Sequence, residues 1–170
     1  LLIGGQTEEG TASSAVSMLT LKADKSVSVT SASVELDEET YAIPALPVTT
    51  VNARVLLIGN TIWVIAGNQS ALGDEEPINR VFKLELKPDE ETGELVWTEG
   101  LPLPGPIRSQ HITVVQKGGF SDRAVFYVIS GIAHVDGRLI ALSDGYAYLK
   151  AKGQEKEEWR PIAPVKPFGD

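Results

Sequence analysis

The sequence predicts an all-β fold built from repeated antiparallel four-stranded sheets, and three recurring landmarks predict it. The first is an apolar run that ends in a small residue plus glycine. It occurs as Leu1-Leu2-Ile3-Gly4-Gly5, Trp63-Val64-Ile65-Ala66-Gly67 and Tyr127-Val128-Ile129-Ser130-Gly131, at spacings of 62 and 64 residues. The second is a tryptophan followed by a proline turn, at Trp97 before Leu101-Pro102 and at Trp159 before Ala163-Pro164, with Leu46-Pro47 after Tyr41 in the matching place. The third is an arginine opening a long apolar run, Arg54 and Arg108, which predicts equivalent positions on neighbouring repeats. A fixed period of this size signals a propeller or a solenoid array. Sixteen glycines and ten prolines, with few helix-forming runs, agree with strands joined by turns.

Residues 1–40 read as an incomplete unit of three outer strands: Leu1–Gly5, Val16–Leu21 and Val27–Leu36. Residues 41–100 read as a full unit. Arg54–Ile58 and Thr61–Ile65, joined by Gly59-Asn60, form a hairpin with a two-residue turn. Both strands are apolar on both faces, so both faces must be covered. Val81–Leu86 alternates apolar and polar, as a strand nearer a wet rim does, and Glu94–Trp97 closes the unit. Residues 101–164 repeat the order as Gln110–Gln116, Ala124–Ser130, Gly145–Lys150 and Lys156–Arg160, and residues 165–170 start a further unit. The polar loops Lys87–Gly93 and Lys117–Arg123 stretch the period beyond the usual kelch length of about 50. The expectation is a kelch-type β-propeller fragment of about three blades. Blades bury their faces only against neighbours, so partner blades must come from another chain, an absent part of this protein or a second copy.

Composition narrows the function classes. A net charge of −8 argues against nucleic-acid binding, which needs a basic surface to displace counterions. The acidic runs Asp74-Glu75-Glu76 and Asp89-Glu90-Glu91 read as solvated loops. With no cysteine there is no disulfide, thiolate metal site or cysteine nucleophile. His111 and His134, 23 residues apart and placed in an inner strand and a loop, do not suggest a metal site, and no cofactor is expected. No stretch approaches a transmembrane helix, so no membrane contact is expected. The opening Leu1–Gly5 reads as the end of a strand and not as a natural start, so localisation is not read from the N-terminus.

The stretch Trp97-Thr98-Glu99-Gly100-Leu101-Pro102-Leu103-Pro104-Gly105-Pro106-Ile107-Arg108-Ser109-Gln110 is similar to the blade-joining segment of the bacterial N-acetylneuraminate epimerases, or sialic acid mutarotases. It resembles most their cyclically permuted relatives. Leu2–Thr7 and Gly59–Gly67 fit the same family. The resemblance implies a six-bladed ring, of which this chain is about half, an extracytoplasmic location, and exchange of the α and β anomers of a small-molecule sugar acid. That reaction needs a general acid and base at the ring oxygen and anomeric hydroxyl, and a cation for the carboxylate. The resemblance further implies a glutamate just after a glycine doublet. Gln6, Asn68 and Ile132 stand in those places, so the catalytic carboxylate is expected in absent blades and none is assigned in this fragment.

The substrate-binding candidates are Arg108, Arg54, Asn68, Gln110 and Gln6, with Gln69 alongside, all expected on the face that carries the doublets. A plainer reading is that the arginines tie blades together through loop carbonyls, and that Gln110 and Asn68 are inter-blade hydrogen-bond partners. Two functions follow: a sugar mutarotase whose catalytic part is absent, or a non-catalytic kelch module binding a protein or glycan through its loop face.

Overall fold

A computed structural model describes residues 1–68, 78–116, 124–150 and 156–166. The elements among them are all strands. The chain forms an arc of three antiparallel propeller blades. The first blade has three strands in the order β1 (Leu2–Ile3), β2 (Val16–Leu21), β3 (Val27–Ser31). A hairpin of β4 (Ser33–Leu36) and β5 (Glu39–Ala42) follows it. The second blade is β6 (Arg54–Ile58), β7 (Thr61–Ile65), β8 (Val81–Glu85) and β9 (Trp97–Glu99), hydrogen-bonded in that order. After β10 (Arg108–Ser109), the third blade runs β11 (Ile112–Val114), β12 (Ala124–Ile129), β15 (Gly145–Lys150) and β16 (Glu157–Ile162). Between its second and third strands the chain inserts a hairpin, β13 (Ile132–Val135) and β14 (Arg138–Ala141), and β13 pairs with β10.

The repeat recurs bond for bond. The first residue of each doublet donates its N–H to the start of the third strand: Gly4 to Ala15 O, Ala66 to Arg80 O and Ser130 to Asp144 O, each at 2.9 Å. The indole N–H of the outer strand donates to the preceding linker, from Trp97 to Pro44 O at 2.9 Å and from Trp159 to Leu101 O at 3.2 Å. Two residues beyond each acceptor lies a leucine, Leu46 or Leu103, whose N–H bonds Ser14 O or Asn79 O. Val165 makes the same bond to Ser143 O at 2.7 Å. Leu46 and Leu103 are 4% and 1% exposed beneath a neighbouring blade, whereas Val165 is 51% exposed.

The doublets themselves follow from backbone sterics. Both residues of each pair have positive φ: 65° and 103° at Gly4-Gly5, 51° and 111° at Ala66-Gly67, 62° and 117° at Ser130-Gly131. A side chain tolerates the first value at a cost of roughly 1–2 kcal/mol and scarcely tolerates the second. At Gly67 a Cβ would also collide with Thr50 Oγ1 and lie 2.7 Å from Val51 O. Gly67→Ala is therefore expected to cost more than about 2 kcal/mol, and Ala66→Gly to stabilise by up to about 1 kcal/mol. Urea unfolding of the two variants checks both signs.

Two cores join the blades. Between the second and third, Trp63, Ile65, Leu103, Phe126, Val128 and Tyr148 are buried together. Phe126 and Tyr148 stack at 5.0 Å, and Trp63 and Trp159 meet them edge-on at 4.8–5.6 Å. Beside this cluster Lys83 Nζ spans the seam to both oxygens of Glu157, at 2.9 and 3.0 Å. Burial alone would raise the Glu157 carboxyl, but Tyr148, Lys83 and Lys150 together hold it below its ordinary value. Between the first and second blades lie Val16, Ala32, Ile43, Ile62, Leu84 and Leu95. The outer face of the first blade is uncovered, whereas that of the third is covered in part, with Tyr127, Ala147 and Leu149 buried on it. On the first blade Leu19 opposes Val29 and Leu21 opposes Val27, all exposed, and Ile112 and Val114 are exposed on the third.

Several strand boundaries differ from the sequence expectation. Val27–Leu36 is two strands, broken at buried Ala32, whose N–H turns back to Val16 O while its C=O accepts from Ile43. Gln110–Gln116 shortens to β11, because Gln110 adopts a positive φ of 54°. The rim strand of the second blade is Trp97–Glu99 and not Glu94–Trp97, since the Asp89 carboxylate caps a turn at Glu91 and Thr92 that delays re-entry. His134 lies in β13 and not in a loop, and His111 lies between β10 and β11. The loop Lys117–Arg123, the run Asp74-Glu75-Glu76, Gln69 and residues 167–170 fall outside the described residues.

Candidate functional site

Second strands run toward the doublets, so the doublet ends of the blades define one face. Gln6 stands there exposed, bridged to Ala12. Asn68 exchanges both backbone hydrogen bonds with Val51 at 2.8 Å, and its buried Oδ1 has no hydrogen-bond partner among the described residues. Gln110 is exposed at the start of the third blade.

Arg54 is exposed at the opening of β6 and reaches across the seam, where its Nε donates to His111 O at 2.7 Å. Arg54 and Gln110 are thus brought to opposite sides of one inter-blade joint. Arg108 is different. It is fully buried, and its guanidinium grips Asp144 in a two-pronged pair, Nη1–Oδ1 and Nη2–Oδ2 both at 2.7 Å. Nε and Nη1 also donate to Pro106 O and Ser130 O at 3.2 Å, and the guanidinium lies 5.4 Å from the Tyr146 ring centre.

The expected equivalence of Arg54 and Arg108 does not hold. Arg54 pairs with Ile65, and the residue paired with the matching Ile129 is Ile112. Val51 bridges to Asn68 as Ser109 pairs with Ile132, which makes Arg108 the counterpart of Thr50. The two side chains do the same work, since Thr50 Oγ1 donates to Ala66 O at 3.4 Å and Arg108 Nη1 donates to Ser130 O. Each supplies a donor to the carbonyl of the doublet's first residue, which the left-handed turn points away from its own sheet. A buried carbonyl left unpaired there would cost about 1–3 kcal/mol.

Asp144 was not among the sequence candidates. A buried arginine implies an acidic partner, but 36 residues of chain separate the two and several other acids compete for the pairing. The Arg108 hydrogen bonds hold the Asp144 carboxyl below its ordinary value against the opposing effect of burial. Burial pushes the Tyr146 phenol up, and Asp144 adds to that shift. His111, fully buried with neither ring nitrogen hydrogen-bonded, is lowered to about 4, first by desolvation and then by Arg54 and Arg108.

These states constrain the chemistry. Asp144 stays ionised with both oxygens engaged, and His111 is neutral and shielded from solvent, so neither is placed as a general base. Gln6, Asn68 and Ile132, the residues after the doublets, carry no carboxylate. Among the described residues no three His, Asp or Glu side chains gather closely enough to hold a metal ion. The same face carries the β13–β14 hairpin, turned at Asp136-Gly137 with both φ positive, on which Val135, Leu139 and Ile140 are exposed.

No family model matches the sequence, and no curated protein matches it. Among solved structures, the one titled "Structure of YjhT" is similar in fold, with a TM-score of 0.54 at 15% sequence identity. The alignment covers 75% of this chain and 36% of that one, so the chain spans well under half the length of that protein.

Proposed function

We propose that this chain is part of a kelch-propeller sugar mutarotase, or epimerase, that interconverts the anomers of N-acetylneuraminate, with further blades completing a ring of six. The observation that carries the reading is the segment Trp97–Gln110, which resembles the blade-joining segment of that family and delivers Gln110 beside Arg54 on the doublet face. In this reading Arg54, Gln110, Asn68 and Gln6 line the sugar site. Arg108 supports it from beneath, by fixing Asp144 and the Ser130 turn. The acid and base come from the further blades, whose polypeptide covers the outer faces of the first and third blades. Those faces expose several hundred Å² of apolar surface in order of magnitude, worth about ten kcal/mol, comparable to the whole stability of a domain.

One observation favours a second reading, a non-catalytic module that binds a protein or glycan. The doublet face lacks a carboxylate after any of its doublets and displays the apolar hairpin residues Val135, Leu139 and Ile140 instead. A single pair of experiments separates the readings. Residues 1–170 alone are expected to self-associate in sedimentation and to leave anomer exchange of N-acetylneuraminate, followed by NMR, at its spontaneous rate. The completed ring is expected to speed the exchange, and Arg54→Ala to weaken that. A well-behaved monomer of residues 1–170 that accelerates exchange, or a completed ring that does not, overturns the mutarotase reading.

A further inference from the structure

The β13–β14 hairpin lengthens the third blade beyond its doublet. β10 leads into β11, β12 into β13 and β14 into β15, and the order β10-β13-β14 repeats the order β11-β12-β15. The outermost strand, β16, has no such continuation among the described residues. β14 therefore ends its sheet with one edge turned to the circumference of the propeller. That edge lies away from the axis and away from Arg54 and Gln110 at the inner joint.

Hydrogen-bond parity fixes what the edge presents. In an antiparallel ladder, residue pairs that exchange hydrogen bonds alternate with pairs that do not. The two-residue turn at Asp136-Gly137 makes Val135 and Arg138 a bonded pair. Leu142 keeps the same phase, donating its N–H to Gly131 O at 2.9 Å. Arg138 and Ile140 thus use their main-chain groups inside the hairpin, and Leu139, Ala141 and Ser143 turn theirs outward. Ser143 O is taken by the Val165 N–H at 2.7 Å. The next donor in that register would be Pro167, which has no N–H. Leu139 and Ala141 make no main-chain bond on the open side among the described residues. The edge is also apolar, with Leu139 67% and Ile140 41% exposed, and neither lysine nor proline blunts it against stray pairing. Arg138 is exposed and forms no salt bridge among the described residues. Ile132–Ala141 holds no Phe, Tyr or Trp to stack on a sugar ring, and an open ladder is completed by main-chain groups, so the edge suits polypeptide and not glycan.

We propose that the outward edge of β14 docks an extended segment of a partner protein, which adds as a fourth strand to β10-β13-β14. Its main chain bonds Leu139 and Ala141. It is apolar beside Leu139 and Ile140 and places a carboxylate beside Arg138, since opposite charges across a ladder attract and like charges repel. Main-chain bonds supply affinity, and the side chains set register. The inference names the partner class that the binding-module reading leaves open, and it needs neither the sugar nor the further blades.

Hydrogen exchange of the 170-residue protein tests this, with and without a short peptide that alternates valine and threonine and carries one glutamate. In the protein alone the Leu139 and Ala141 amides are expected to exchange fast, and those of Arg138 and Ile140 slowly. At ten times its dissociation constant the peptide should slow Leu139 and Ala141 about tenfold and leave Arg138 and Ile140 unchanged. The same peptide N-methylated at alternate residues should give no protection. Leu139→Pro removes an outward N–H and no hairpin bond, a change that edge strands tolerate, and should abolish protection at Ala141. Arg138→Glu should weaken binding by up to about fivefold, and lysine in place of the peptide's glutamate should restore it. Val29→Asp, on the exposed outer face of the first blade, should leave protection intact. Protection by the methylated peptide, or protection lost in Val29→Asp, overturns the site, because the peptide then coats an apolar face. Leu139 and Ala141 amides already protected in the protein alone also overturn it, since the edge is then covered by this chain or by a second copy. So does binding that leaves both amides unchanged. Failure of the mutarotase reading appears separately, in the anomer-exchange assay.

Discussion

Asp144→Ala is expected to remove about 3–5 kcal/mol of stability, because it takes the only carboxylate partner among the described residues from a guanidinium that is fully buried in the folded chain. The two carbonyls that also bind Arg108 cannot replace a carboxylate, since they offer dipoles and not a charge. The Asp144 side chain is itself 36% exposed, which allows some water to reach the gap and sets the lower end of that range. Asp144→Asn keeps the shape and loses the charge, so it should fall between. The double variant Arg108→Met with Asp144→Leu should recover most of the loss, since replacing a whole buried pair by apolar groups is often close to neutral. It cannot recover all of it, because the Ser130 carbonyl also loses its donor. Urea unfolding at pH 7 of the wild type, Arg108→Met, Asp144→Leu and the double variant forms a double-mutant cycle, beside which Asp144→Ala and Asp144→Asn are read. A loss below about 1 kcal/mol for Asp144→Ala would mean that the guanidinium finds another anion.

The second large effect is a loss of stability in mild acid caused by His111. Its folded value of about 4 lies below the ordinary 6.5, so between those values the unfolded chain binds the proton that the folded chain refuses. Stability from this group is fully present above about pH 6.5 and falls as pH drops toward 4. The expected loss is about 3 kcal/mol, from 1.36 kcal/mol per unit over the interval. Asp144 and Glu157 have the opposite character. Both carboxyls sit below their ordinary values when folded, so what they contribute is lost only at pH below the usual carboxylate range. The window between about pH 4.5 and 6.5 therefore isolates His111 from both carboxylates. His111→Phe should flatten the pH dependence of unfolding there. It should also stabilise the protein at neutral pH, because it removes two buried nitrogens that have no hydrogen-bond partners among the described residues. If the wild-type and His111→Phe proteins lose stability in parallel from pH 6.5 to 4.5, the histidine is not the acid-sensitive group.

Both effects converge on the doublet face of the third blade, where Arg54 crosses the seam to the His111 carbonyl. The second and third blades meet there through a charged side chain beside a buried neutral imidazole, whereas the rim of the same seam is held by stacked aromatics and the Lys83–Glu157 pair. Acid should loosen the inner end of the joint before the rim.

The sequence by itself determined the all-β class, the repeat and the central strands of the blades, because these depend on local chemistry. Positive φ at two successive positions demands glycine or a small residue, so the doublets mark the end of each second strand wherever they stand. The Gly59-Asn60 turn and the double-sided apolar runs around it fix the β6–β7 hairpin within a dozen residues. The β13–β14 hairpin carries a turn signal of the same kind, Asp136-Gly137 between Val135 and Leu139, although it interrupts the strand order of its blade. The partners of individual side chains were decided by the tertiary structure alone. From the second blade to the third, the inner segment shifts by 58 residues, Val51 to Ser109, while the doublets shift by 64, Asn68 to Ile132. Two arginines at similar distances along the chain therefore land in different registers, one crossing a seam and the other buried under a turn. The pairing of Arg108 with Asp144 and the isolation of His111 arise in the same way. Hydrogen-bond register across strands, set by loop lengths and packing far away in sequence, chooses which side chains meet, and no local pattern encodes that choice.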